Sequence, residues 1–218
     1  MKFNDDISLR AVLHLSALPW VDSSQPGIQS RLLEDRADEV LRFTSIVRYG
    51  ANTPPETHIH PLGQEILVLD GVYEDDAGSY GAGTYIKNPP GSSHTARSSS
   101  GCTLFVKNNY LAPEDNQRTI VDTRNADWFE GLVTGLTVLP LAEFGTRHAA
   151  LVRWAPKTKF NPHRHYGGEE ILVLEGVFED EFGRYPAGTW IRSPHMSAHR
   201  PFSVDGCLIL VMTGHLLD

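Results

Sequence analysis

Shifted by 105 residues, the chain aligns with itself. Val47–Lys107 lies over Val152–Met212 without a gap, and close to half of the paired positions are identical. A duplication of this kind constrains the fold more than any other feature, because each copy has to build its own core from roughly half of the 218 residues. The matched positions include His58/His163, His60/His165, Glu65/Glu170, Ile66–Leu69 with Ile171–Leu174, Gly71/Gly176, His94/His199 and Cys102/Cys207. Upstream the offset becomes 108, pairing Arg10 with Arg118, Val12 with Ile120 and Trp20 with Trp128. The repeat therefore starts near Leu9 and again near Gln117, with Leu111–Gln117 as the junction. Two domains are expected, 1–112 and 113–218.

Each copy reads as β structure. "EILVLDGVYED", "TYIKN" and "CTLFVK" are short runs rich in Val, Ile and Tyr, bounded by Gly, Pro, Asn and Ser. No window keeps a helical apolar period for three turns, although Leu9–Leu18 can supply a short helix or a strand. "GVYEDDAGSYGAG" reads as a hairpin turn, since no helix follows it to cradle a phosphate. "GSSHTARSSSG" reads as a polar loop. Many short strands with frequent turn signals point to an antiparallel sandwich or barrel in each half.

Bulk properties narrow the partners. A net charge of -8 argues against a nucleic-acid surface, which needs a basic footprint. The apolar runs are too short to span a bilayer, and "MKFNDDISLR" carries acids where a signal peptide needs an apolar stretch. A cytoplasmic protein is expected. Cys102 and Cys207 head apolar strand-like runs and are read as reduced core thiols.

The chemistry lies in "THIHPLGQE" and "PHRHYGGEE". Residues i and i+2 of a strand share a face, so His58 with His60, and His163 with His165, can aim at one point. A turn then brings Glu65 or Glu170 back on the next strand, and His94 or His199 can complete the set from another. Three imidazoles and a carboxylate suit zinc, iron(II), manganese, nickel or cobalt, and poorly suit calcium or magnesium. Fewer than six protein ligands leave room for water or a small molecule.

"HIHPLGQE" fits H-x-H-x(3,4)-E and "GTYIKNPPGSSH" fits G-x5-P-x-G-x2-H, the two motifs of the cupins, which the chain resembles. In the second copy Met196 replaces the motif glycine, Gly91. Together with "LPWVDSSQPGIQSRLLED" and "TSIVRYGANTPPE", these stretches look like the cupin domain of ChrR-type anti-sigma factors. The resemblance implies an all-β bicupin: two tandem double-stranded β-helix (jelly-roll) barrels. It implies zinc held by His58, His60, Glu65 and His94, and by His163, His165, Glu170 and His199. In the second copy Glu169 and Glu170 are both present. Glu170 is preferred because it matches the only carboxylate in the first copy, where Gln64 takes the earlier place. The family binds its sigma factor through a separate helical zinc domain with an H-x3-C-x2-C pattern. This sequence has no such pattern, which argues against sigma-factor binding.

Other matched residues have plainer readings. The pairs Tyr49/Trp154, Tyr73/Phe178 and Tyr85/Trp190 read as barrel core. Arg48/Arg153 are surface strand residues or supports of the site. His195 reads as an exposed turn residue, and His14, His148 and His215 as ordinary histidines. The expected function is small-molecule or redox sensing and binding, with one divalent metal per barrel, zinc foremost and iron, nickel or manganese next. The alternatives are an iron-dependent dioxygenase and a metal-dependent isomerase. Catalytic residues are not assigned, and a homodimer through open strand edges is allowed.

Overall fold

The structure, a computed structural model, describes residues 3–36 and 40–217. Among them the chain is almost wholly β; the one helical element is the 3-10 turn Leu15–Ala17. Two compact units form, and neither is continuous in sequence. The first contains the stretch ending at Asp5 together with Leu18–Ala126; the second contains Asp6–Ala17 and the stretch from Asp127 onward.

In the first unit the larger antiparallel sheet runs in the order Thr119–Asp122, Thr84–Asn88, Gln64–Asp75, Cys102–Asn108, Phe43–Tyr49, Ile28–Asp35, Val21–Asp22. A smaller layer pairs Thr53–His60 with Ser92–Ser98, and the latter with the end of Gln64–Asp75, which also pairs Gly78–Gly81. The second unit repeats this order with Ala11–His14, Thr189–Ser193, Glu169–Asp180, Cys207–Thr213, Arg147–Trp154, Leu136–Phe144 and Phe129–Glu130.

The edge strands come from unexpected places in the chain. Ala11–His14 opens the first copy in sequence yet pairs with Thr189–Ser193 of the second, placing Val12 opposite Ile191. Thr119–Asp122, which opens the second copy, pairs with Thr84–Asn88, placing Ile120 opposite Ile86. The family motifs are thus contiguous in sequence, while each compact unit is closed by a strand from the neighbouring copy.

The long strand Gln64–Asp75 belongs to both layers. Its first half pairs with Thr84–Asn88 and Cys102–Asn108; its second half pairs with Gly78–Gly81. A bulge near Leu69 and Gly71, at φ 74°, allow the change of direction. Between the layers lies a core that includes Ile66, Val68, Tyr73, Ile86, Leu104 and Val106; its counterpart contains Ile171, Val173, Phe178, Ile191 and Ile209.

The stretch read as a polar loop is a strand over Ser92–Ser98. His94, Ala96 and Ser98 are buried, while Ser93, Thr95 and Arg97 alternate with them at more accessible positions. With only three inward positions, its alternation is hidden in a run of serines. Met196 keeps the turn that Gly91 makes. Both adopt positive φ, 62° and 75°, and each N–H donates to the carbonyl of the second motif histidine at 2.8 Å.

Candidate metal centres

His58 stands directly opposite His94 on paired antiparallel strands, and His163 opposite His199. That register delivers the third histidine, because directly opposed side chains on adjacent strands share a face. In the first barrel His94 Nε2 lies 2.8 Å from His58 Nε2 and 3.2 Å from His60 Nε2. In the second, His165 Nε2 lies 3.0 Å from His199 Nε2. Metal–nitrogen bonds of about 2.0–2.1 Å put neighbouring ligand nitrogens about 2.9–3.4 Å apart, so these rings already have the spacing of a shared ion.

The opposite ring nitrogens are held from behind. His60 Nδ1 contacts Asn108 Oδ1 at 2.7 Å, and His163 Nδ1 contacts the Asn161 carbonyl at 2.9 Å. Acceptors at Nδ1 favour the tautomer whose Nε2 lone pair faces the centre. Burial reinforces this, pushing His60 and His94 down to about 4 and His165 to about 3; neighbouring imidazoles add to the effect at all three. Burial also lowers His58 and His163. These five rings are neutral at pH 7.

The glutamates expected as ligands lie elsewhere in the structure. Glu65 and Glu170 do not join the clusters, which consist of His58, His60 and His94, and of His163, His165, Glu169 and His199. Neighbouring residues on a strand face opposite ways. Glu65 therefore accepts a hydrogen bond from Tyr85 OH at 2.6 Å. Glu170 accepts one from Trp190 Nε1 at 2.8 Å and lies 3.1 Å from His215 Nε2. His215 is accordingly a buried partner of Glu170. Facing the metal-competent nitrogens instead is Glu169, and Gln64, its counterpart in the first copy, lines the cavity that His58 and His60 border. Glu169 Oε2 is 3.5 Å from His165 Nε2 and 3.7 Å from His199 Nε2, and has no hydrogen-bond partner; Gln64 Oε1 is likewise buried without one. Burial pushes Glu169 up to about 7. An orphaned carboxylate oxygen beside three converging imidazoles fits a bound cation.

A further pair of residues supports each cluster. Arg10 donates to Asp180 Oδ2 at 2.9 Å and to Tyr185 OH at 2.8 Å, and the same Asp180 oxygen is 3.5 Å from His199 Nδ1. Arg118 donates to Asp75 Oδ2 at 2.7 Å, and that oxygen is 3.9 Å from His94 Nδ1. Arg10 and Arg118 are the matched arginines of the 108-residue offset, which was the available sequence signal for them. We expect Arg10→Met to weaken metal binding at the second centre, by no more than the roughly 10–100-fold cost of losing a residue bonded directly to a ligand, and to spare the first. Arg118→Met should do the reverse. Competition against a chromophoric chelator measures both, and equal losses at the two centres in either variant would refute the assignment.

The remaining readings divide. Arg48 stacks 3.9 Å over Trp20 and Arg153 5.3 Å over Trp128, so this pair braces its own sheet surface. His195 Nδ1 accepts from the Gly167 N–H, outside the cluster. Tyr73 and Phe178 are core residues that also reach the centres, their rings 6.3 Å from His94 and 6.2 Å from His199. Cys102 and Cys207 are free and buried.

The family model described as "ChrR Cupin-like domain" matches the chain twice, over residues 8–112 and 116–217. No curated protein matches the sequence. Among solved structures, a candidate dioxygenase from Nostoc punctiforme is similar at 16% identity and TM-score 0.75, over 96% of this chain and 84% of that one. The Escherichia coli pirin YhhW, solved with nickel(II), is similar at 14% identity and TM-score 0.67, over 96% and 100%. A Lactobacillus farciminis oxalate decarboxylase, in a formate complex, is similar at 12% identity and TM-score 0.64, over 94% and 86%. At these identities the likeness is one of fold.

Proposed function

Because the chain belongs to the ChrR cupin-like domain family, as two tandem cupins, we propose that it is a divalent-metal protein that binds a small molecule. His163, His165, Glu169 and His199 hold the tighter ion, while His58, His60 and His94 form a weaker centre beside Gln64. The observation that carries this reading is Glu169 Oε2, buried and unpartnered within 4 Å of two imidazole nitrogens. Zinc suits the donor set best, and iron, nickel or manganese are accommodated by the same ligands. A bound ion would supply Lewis acidity toward a ligand oxygen. The protein's own part is to hold four donors on one side and leave the cavity side open.

A second reading is an iron-dependent dioxygenase. It is favoured by the apolar cavity that opens onto the second centre, since a reactive centre needs protection from bulk water. Small-molecule sensing, by contrast, needs only metal and cavity. Elemental analysis of protein purified without chelator or metal-affinity tag tests the common premise. At least one equivalent of transition metal is expected, with the second centre's share lost in His165→Ala; well under one equivalent in the unaltered protein rejects the proposal. Oxygen uptake by iron-loaded protein then separates the dioxygenase from the binding protein.

A further inference from the structure

The cavities leading to the two centres differ in chemistry at matched positions. The first, about 520 Å³, is bordered by Ser30, Tyr49, Tyr73 and Asn108. The second, about 400 Å³, has Val138, Trp154, Phe178 and Thr213 in their places. Three of these exchanges remove a hydroxyl or replace it with an indole, and the fourth replaces an amide with a hydroxyl. Ser45 also borders the first cavity, with its Oγ buried and unpartnered. In the second cavity, apart from Thr213 and the four members of the centre, every lining residue is apolar. Trp154 packs edge to face with Phe160 and Phe178 at 6.3 and 5.7 Å, and its Nε1 is buried with no hydrogen-bond partner.

These features limit the ligand. No Lys or Arg lines the second cavity, and Glu169 is its only carboxylate. A dication coordinated by one carboxylate and by imidazole lone pairs keeps one net positive charge, and nothing else in the walls answers a second negative one. Aromatic and branched walls favour an apolar body, and the volume lies near the lower end of small-molecule sites, which begin at about 300 Å³. We propose that the second cavity takes a small monoanion with a ring-sized apolar body, its oxygen head at the histidine–glutamate centre. This rests on the metal reading above and extends it to a ligand class.

Three 2-oxo acids sharing one metal-binding head test the idea: phenylpyruvate, pyruvate and oxaloacetate, titrated calorimetrically into the zinc-loaded full chain. Phenylpyruvate should bind at least tenfold more tightly than pyruvate, equivalent to about 1.4 kcal/mol, and oxaloacetate no better than pyruvate. Val152→Phe, which fills the second cavity, should abolish the preference at unchanged zinc content. Val47→Phe, its counterpart in the first cavity, should preserve it. Should Val152→Phe fail to fold, Val138→Phe obstructs the same cavity. Pyruvate binding as tightly as phenylpyruvate, oxaloacetate binding best, or a preference that survives the filled cavity each overturns the proposal. Zinc content below one equivalent marks failure of the metal reading instead; a phenylpyruvate preference that still vanishes in Val152→Phe then upholds the cavity's choice of body by itself.

Discussion

Glu169→Gln should strip the second centre of its metal, whereas the neighbouring Glu170→Gln should keep the metal and loosen the fold. The first change removes the only anionic donor of the cluster and leaves an amide oxygen where the charge had been. Loss of a direct anionic ligand should exceed the roughly 10–100-fold cost of losing an outer partner. The second change acts on the other face of the strand, where Glu170 meets Trp190 and His215. Weakening those buried hydrogen bonds should cost about 1–3 kcal/mol of stability. Gln64→Glu tests the same logic in reverse, giving the first centre a carboxylate and tightening it. Metal titration with a competing chelator and thermal unfolding together separate the three variants. Greater metal loss in Glu170→Gln than in Glu169→Gln would refute the assignment.

A large loss of stability is expected from Gly176→Ala. A Cβ there would sit 2.1 Å from the Gly206 carbonyl oxygen, and φ is 68°. Holding an L-residue in this conformation costs about 1–2 kcal/mol, and forcing an atom into a filled space adds about 1–3 kcal/mol. A total near 2–5 kcal/mol is a large share of the roughly 5–15 kcal/mol by which domains are stable. Gly71→Ala meets the same contact at Gly101 and should behave alike. Gly81→Ala is the control: its Cβ has nothing within 4 Å, so the change should stay within about 0.5 kcal/mol. Chemical denaturation of the three variants checks the ranking. Because Gly176 bends the strand that carries both Glu169 and Asp180, its replacement should also weaken the second centre.

Much of this architecture was legible as pattern. The duplication, the strand-rich copies and the histidines at i and i+2 follow from spacing and period alone. The acidic member of the second cluster did not, for an instructive reason. Identity between the copies favoured Glu65 and Glu170, but that identity tracks a structural bond, to Tyr85 in one unit and Trp190 in the other. The position that faces the histidines in the second copy is the one that differs, Gln64 against Glu169. Agreement between the copies marked the framework, and the copies disagree at the position beside the histidine cluster. The supporting arginines were visible as a matched pair, yet their partners lie far along the chain; Arg10 and Asp180 are brought together only by strand pairing. The strand over Ser92–Ser98 was obscured because its outward residues are as polar as those of a loop.

The edge strands Ala11–His14 and Thr119–Asp122 bear on how such a chain is made. As the polypeptide emerges during synthesis, the first unit waits for Thr119–Asp122 from the start of the next copy, while Ala11–His14 is present long before the unit it closes. Cutting at the junction of the copies would give two halves of similar composition, each carrying the other's edge strand and supporting arginine. Neither half on its own therefore contains a complete sheet, and the two copies fold as interdependent parts of one chain.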